Sequence, residues 1–216
     1  MSVFKLIVGS KAYSSWSFRP WILLAHFKIP FEDVTIGLRT PETRDKILKY
    51  SPTGKVPCLI DGSIKVWDSL AIMEYVAESY PTKAIWPKAK AARAHARAIS
   101  AEMHSGFQNV RNELSCNFRR TPAKRTPSPE ALAEITRIEA IWAEARAKFG
   151  KAGPFLYGKF SAADAMYAPV VSRFYAYDIA VSPESRAYMD AMMALPAWAA
   201  WLHDGKDEIR IPMYED

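Results

Sequence analysis

The chain has 216 residues, with 29 Lys and Arg against 23 Asp and Glu, a formal charge of +6. Half of its residues are apolar and 24% are charged, which excludes a disordered, collagen-like or disulfide-scaffold protein. No run approaches the roughly 18 apolar residues of a membrane span, and the opening stretch is too short in apolar character for a signal peptide. At about 150 residues per domain, the length fits one domain or two. The two cysteines, Cys58 and Cys116, form no CxxC pair, which points to a reducing, cytoplasmic setting.

Val3 to Val8 is nearly all apolar and reads as a buried strand. Gly9 to Ser15 is turn-rich. A helix is predicted from about Ser17 to Phe27, with Pro20 in its first turn, where a missing N–H costs little. Pro30 closes this unit, and Phe31 to Ile36 reads as a second strand. Pro41 to Lys49 is a short charged helix, and Ser51 to Gly54 a turn. Val56 to Asp61 and Ile64 to Trp67 form two strands around an Asp61-Gly62 hairpin signal. Ser69 then caps a helix to about Ser79, with Leu70, Met73, Val76 and Ala77 on one face.

Pro81 to Lys90 reads as a connector, and everything beyond it reads as helical. From Ala91 to about Cys116 the apolar positions Ala92, Ala96, Ile99, Met103, Phe107, Val110 and Leu114 step by three or four, predicting one long helix. Arg119 to Pro129 is a basic, proline-bearing loop. Helices follow at 129–149, 161–175, 183–195 and 196–203. A small α/β unit at 1–82, a linker at 83–90 and an all-helical unit at 91–216 is the expected organisation. Four histidines show no metal-ligand spacing, so no metal is expected.

Three separated segments carry a resemblance. Tyr13-Ser14-Ser15-Trp16-Ser17-Phe18-Arg19 resembles the Ser-Ser-Cys-Ser-Trp-Arg segment of zeta-class glutathione transferases. Ser51-Pro52-Thr53-Gly54-Lys55-Val56-Pro57-Cys58-Leu59, followed by Trp67-Asp68-Ser69-Leu70-Ala71-Ile72, is similar to the family's Pro-x-Gly-x-Val-Pro-x-Leu and Glu-Ser-x-Ala-Ile pair. Phe160-Ser161-Ala162-Ala163-Asp164-Ala165 resembles the Ser/Thr-x-x-Asp capping box of its helical domain. The resemblance to cytosolic glutathione transferases implies a thioredoxin-like N-terminal domain followed by an all-helical C-terminal domain. It also implies a cis bond before Pro57, glutathione as co-substrate and a homodimer. Two positions depart from the pattern: Trp16 stands in place of cysteine, and Asp68 in place of glutamate or glutamine.

A thiol with pKa near 8.5 is only a few per cent thiolate at pH 7, and the thiolate is the nucleophile. A hydroxyl donor and a helix N-terminus both favour it. Ser14, just before the first helix, is the first choice to supply that hydroxyl, with Ser15 and Tyr13 as alternatives. Val56, Pro57 and Lys55 are assigned to the peptide backbone and a carboxylate of glutathione, and Asp68 and Ser69 to its γ-glutamyl end. A second-substrate pocket is placed at Trp16, Met103, Phe107 and Arg111, apolar with one cation. Ser161 and Asp164 are assigned to structure, and Cys58 to the core. Two basic stretches, Lys88 to Arg97 and Arg119 to Arg125, read as a solvated face or a field for an anionic tripeptide rather than a nucleic-acid surface. The implied reaction is conjugation to an electrophile. Glutathione-dependent isomerisation, dehalogenation or peroxide reduction, and ligand binding without turnover, stand as alternatives.

Overall fold

The computed structural model describes residues 3–215. Four strands, β1 (Phe4–Gly9), β2 (Phe31–Ile36), β3 (Cys58–Asp61) and β4 (Ile64–Trp67), form one sheet in the order β2-β1-β3-β4. β1 pairs parallel with β2 and antiparallel with β3, and β3 pairs antiparallel with β4. β1 is buried at every position but Lys5, because helices cover both faces of the sheet. Helix α2 (Thr43–Leu48) closes one face over a small cluster of Ile7, Ile36, Ile47 and Cys58. Helices α1 (Ser15–His26) and α3 (Ser69–Ser79) close the other.

Beyond Pro81 come α4 (Lys90–Ser105), α5 (Gln108–Glu113), α6 (Pro129–Phe149), α7 (Ala162–Ala176), α8 (Pro183–Met193) and α9 (Pro196–Gly205). One hydrophobic cluster runs through both halves. It joins Leu6, Phe18, Ile22 and Leu59 to Met103, Trp142, Tyr167 and Phe174. α1 packs on the sheet, on α7 and on α9, and Arg19 donates from Nε to the Met166 carbonyl at 3.1 Å. Among the described residues no helix is long and apolar enough to cross a membrane.

The long helix expected over 91–116 is two helices. α4 stops at Ser105, Gly106 is extended, and Phe107 takes a left-handed conformation (φ 60°). Side chains hold the break. Arg111 donates to the carbonyls of Gly106 (3.0 Å), His104 (3.4 Å) and Met103, which the end of α4 leaves without helical partners. Glu134 accepts from the backbone N–H groups of Asn109 and Val110, at 3.3 and 2.8 Å, in the first turn of α5.

The start of α7 is locked by Asp164. Its fully buried carboxylate accepts from the backbone N–H of Leu156 (3.0 Å) and Ser161 (2.9 Å) and from the Ser161 hydroxyl (2.9 Å). Burial raises its pKa to about 6, and these donors oppose the rise. Asp164→Ala would leave two buried N–H groups without acceptors. It should therefore cost about 3 kcal/mol, read as a lower urea midpoint with unchanged slope.

Candidate active site

The turn after β1 delivers residues 13–16 to the start of α1. Ser14 is the N-cap, its Oγ accepting from the Ser17 N–H at 3.4 Å. Its hydroxyl also bonds Ser17 Oγ at 2.8 Å, and that oxygen accepts from the Gly9 N–H at 3.0 Å. The predicted helix start at Ser17 was thus two residues late: Ser17 anchors the turn and Ser14 caps it. Ser15 Oγ is bonded by Arg173 at 3.4 Å. Tyr13 Oη accepts from the Ile211 N–H at 3.0 Å and bonds Arg119 and Glu215. Burial and the Glu215 contact raise its pKa. The phenol is therefore protonated and its bonding capacity is taken up by the C-terminal segment.

That segment returns across the same turn. Glu208 accepts from the backbone N–H of Lys11 (2.7 Å) and Ala12 (2.9 Å). Tyr214 is held through its carbonyl by Asn117 (2.9 Å) and through its hydroxyl by Arg39 (2.9 Å). Its ring lies 5.4 Å from that of Tyr13, centre to centre.

Two cavities open here. The larger, about 630 Å³, is lined by Ser14, Ser15, Trp16, Arg111, Arg173 and Tyr214 among others. The smaller, about 390 Å³, is lined by Thr53, Pro57, Trp67, Asp68, Ser69 and His104. They share Trp16, Lys55 and Val56 as common walls. The Val56–Pro57 bond is cis, and the ladder to β1 begins only at Cys58, so Val56 lies at the cavity rather than inside the sheet pairing.

The cap of α3 is Asp68 rather than Ser69. Asp68 accepts from the Leu70 N–H through Oδ1 at 2.8 Å and pairs with His104 Nε2 through Oδ2 at 2.6 Å. Its φ of 68° with ψ of 146° is a strained conformation for a residue with a side chain. Because Asp68 takes the capping role, the Ser69 hydroxyl, on a residue only 1% exposed, has no hydrogen-bond partner among the described residues.

The structure thus brings Ser14, Ser15, Tyr13, Trp16, Lys55, Val56 and Arg111 to one cavity, and Pro57, Asp68 and Ser69 to its neighbour. Met103 and Phe107 do not join them. Both are in the hydrophobic core and line neither cavity: Met103 belongs to the buried face of α4 ahead of the break, and Phe107 is buried at the break, while Arg111 reaches the opening. The pattern of residues missed Arg173, Tyr214, Arg39 and Cys116 in the larger cavity. Of these, only Arg173 left a local signal, as a lone cation in the apolar run Ala162 to Ala176. Among the described residues no three metal-ligating side chains come together.

The chain belongs to the glutathione S-transferase family. The N-terminal domain of that family matches residues 13–79 and its C-terminal domain residues 119–204. A probable maleylacetoacetate isomerase from Caenorhabditis elegans is 39% identical over 113 residues, 52% of this chain and 52% of that protein. A dichloromethane dehalogenase from Methylorubrum extorquens is 40% identical over 60 residues, 27% of this chain and 21% of that one. The matches thus cover about half or less of the length of these relatives. A solved glutathione transferase homolog from Burkholderia, with bound glutathione, superposes with a TM-score of 0.74 at 21% identity, over 96% of this chain and all of that one. The fold is the expected thioredoxin-like half followed by a helical half.

Replacing Asp68 with alanine removes the cap of α3 and the pairing with His104 while keeping the strained φ. The pairing is partly exposed, so most of the cost is the cap. Chemical denaturation should show a loss of about 1–2 kcal/mol.

Proposed function

We propose that this chain is a glutathione transferase in which the Ser14 hydroxyl stabilises the glutathione thiolate for attack on an electrophilic carbon. The observation that carries the reading is the pair of adjoining cavities, each with a helix start at its wall. Ser14 caps α1 at the larger, and the unpartnered Ser69 hydroxyl opens α3 at the smaller.

A γ-linked tripeptide matches that division. Its γ-glutamyl carboxylate meets Ser69 and the first turn of α3, its ammonium group meets Asp68, and its central residue lies along the main chain of Val56. The sulfur then lies at Ser14. Ser14 and Ser17 each donate and accept. Reversing their shared bond, so that Ser17 donates, turns the Ser14 proton into the cavity without breaking the cap. A hydroxyl donor and the dipole of α1 then lower the thiol pKa, and each unit is worth about 1.4 kcal/mol. The thiolate forms the carbon–sulfur bond as the leaving group departs, and proximity supplies much of the rest. Lys55 at the shared wall suits the glycyl carboxylate.

The isomerase and dehalogenase names of the partial relatives support a second reading within the same chemistry, glutathione-dependent isomerisation or dehalogenation. Substrate profiling separates the two. The family resemblance also supports a homodimer. The edge strand β4, which leaves Ile64 and Trp67 49% and 44% exposed, fits a surface covered by a second copy, and sedimentation reads this directly.

Ser14→Ala should lower conjugation about 10- to 100-fold and move the thiol pKa of bound glutathione up by about one to two units. The ultraviolet thiolate band followed against pH checks this, and the rising limb of the rate profile should move to higher pH with it. An unchanged profile would remove Ser14 from the mechanism. Ser69→Ala should leave the stability of the free protein nearly unchanged, since its hydroxyl bonds nothing there, yet weaken glutathione about tenfold in calorimetry.

A further inference from the structure

The stretch that joins α5 to α6 carries Arg120, Lys124 and Arg125. Its base is fixed, with the Phe118 N–H donating to the Ala12 carbonyl at 2.9 Å. Further along, the N–H groups of Ala123 and Arg125 donate to the carbonyls of Ala176 and Tyr177, each at 3.1 Å. Those carbonyls lie at the end of α7 and lack helical partners. Pro122 and Pro127 restrict the chain on either side of these bonds. Residues 121–126 are thus exposed throughout yet held in place.

The guanidinium carbons of Arg120 and Arg125 lie 4.5 and 5.6 Å from the centre of the Tyr177 ring. Tyr177 itself is fully buried, and its hydroxyl bonds Ser115 at 2.7 Å. Arg119 pairs with Glu215. Among the described residues, Arg120, Lys124 and Arg125 form no ion pair. Arg125 approaches Glu113, but both oxygens of that carboxylate are taken by Ser128. Arg120 Nε is buried without a hydrogen-bond partner. Beside it a notch of about 230 Å³ opens between α7, α8 and α9, lined by Phe118, Arg120, Tyr175, Met193, Trp198 and Leu202 among others. The notch shares no lining residue with either cavity of the candidate active site. Small-molecule sites run to about 300–1,000 Å³, so this one suits a single side chain better than a whole ligand.

We propose that this face docks an acidic protein segment, a short stretch of aspartate and glutamate around one apolar or aromatic residue. The apolar side chain enters the notch as the anchor. The carboxylates meet Arg120, Lys124 and Arg125, whose charges no acid of this chain pairs. Because the cationic loop is already held against α7, little ordering is left for the moment of binding. A single-stranded nucleic acid would need open aromatic faces for its bases, and the Tyr177 ring is covered by this chain's own guanidinium groups.

The test follows the fluorescence anisotropy of a fluorescein-labelled peptide in which aspartate and glutamate flank a central tryptophan. Two control peptides change one property each: amides in place of the acids, and alanine in place of the tryptophan. The acidic tryptophan peptide should bind at least about tenfold more tightly than either control, and its advantage over the amide control should shrink as salt is added. Lys124→Glu combined with Arg125→Glu should remove that advantage. Both side chains are exposed, so circular dichroism and Tm should stay native. Ala199→Trp, at an exposed position lining the notch, should erase the tryptophan preference and leave the charge preference. Equal binding of the three peptides overturns the proposal, as does a charge preference that survives the double reversal or a tryptophan preference that survives Ala199→Trp. Displacement of the peptide by an equally charged single-stranded RNA at lower concentration overturns it in favour of a nucleic-acid surface. Glutathione takes no part in these measurements, so a failed transferase reading leaves them unaffected.

Discussion

Helix α1 is wedged between the sheet and α7, and this fixes what its first turn shows to the cavity. Phe18, Ile22 and Leu23 are fully buried, so the helix has no freedom to slide or rotate without opening the core. The Gly9–Ser17–Ser14 chain of hydrogen bonds then ties the turn to the end of β1. The position of Ser14 is thus set by packing on both sides rather than by the loop itself.

The α/β half was legible because each element carries its own signal. β1 is a continuous apolar run and Asp61-Gly62 marks the hairpin, whereas Pro20, expected in a first turn, is the sixth residue of α1 because the helix starts earlier, at Ser15. The helix starts were legible only to within a residue or two. Asp68 and Ser69 are both good caps, and nothing local says which one turns inward. The break at Gly106 was hidden for a related reason. Val110 and Leu114 stay buried after the break, so the three-and-four spacing continues across an interruption of the helix that spacing cannot detect. Reading one face through the break put Phe107 in a pocket it does not line; Met103 is simply core on the buried face of α4, and Arg111 reaches the pocket while capping α4. Arg173 and Tyr214 come from distant parts of the chain; the lone charge of Arg173 in an apolar run marks it locally, but only tertiary contact places either residue at the cavity.

The site's electrostatics divide along the same geometry. The smaller cavity pairs a carboxylate, Asp68, with His104 and a helix start, a mixed environment suited to a zwitterion. The larger one is cationic and partly apolar. Trp16 stands between them as a shared wall. Its ring edge contacts His104 at 5.3 Å between centres and its surface meets two guanidinium groups, so a single side chain couples the polarity of both chambers.

The wall formed by Tyr214 has a consequence for biosynthesis. Tyr13 and Glu215 are 202 positions apart, so the whole stretch between them must be synthesised before the chamber they border can shut. The closure is ordered in time: the sheet and α1 emerge before the aromatic gatepost does. A polypeptide that stops before Ile211 lacks that gatepost, which leaves the larger cavity without one of its aromatic walls.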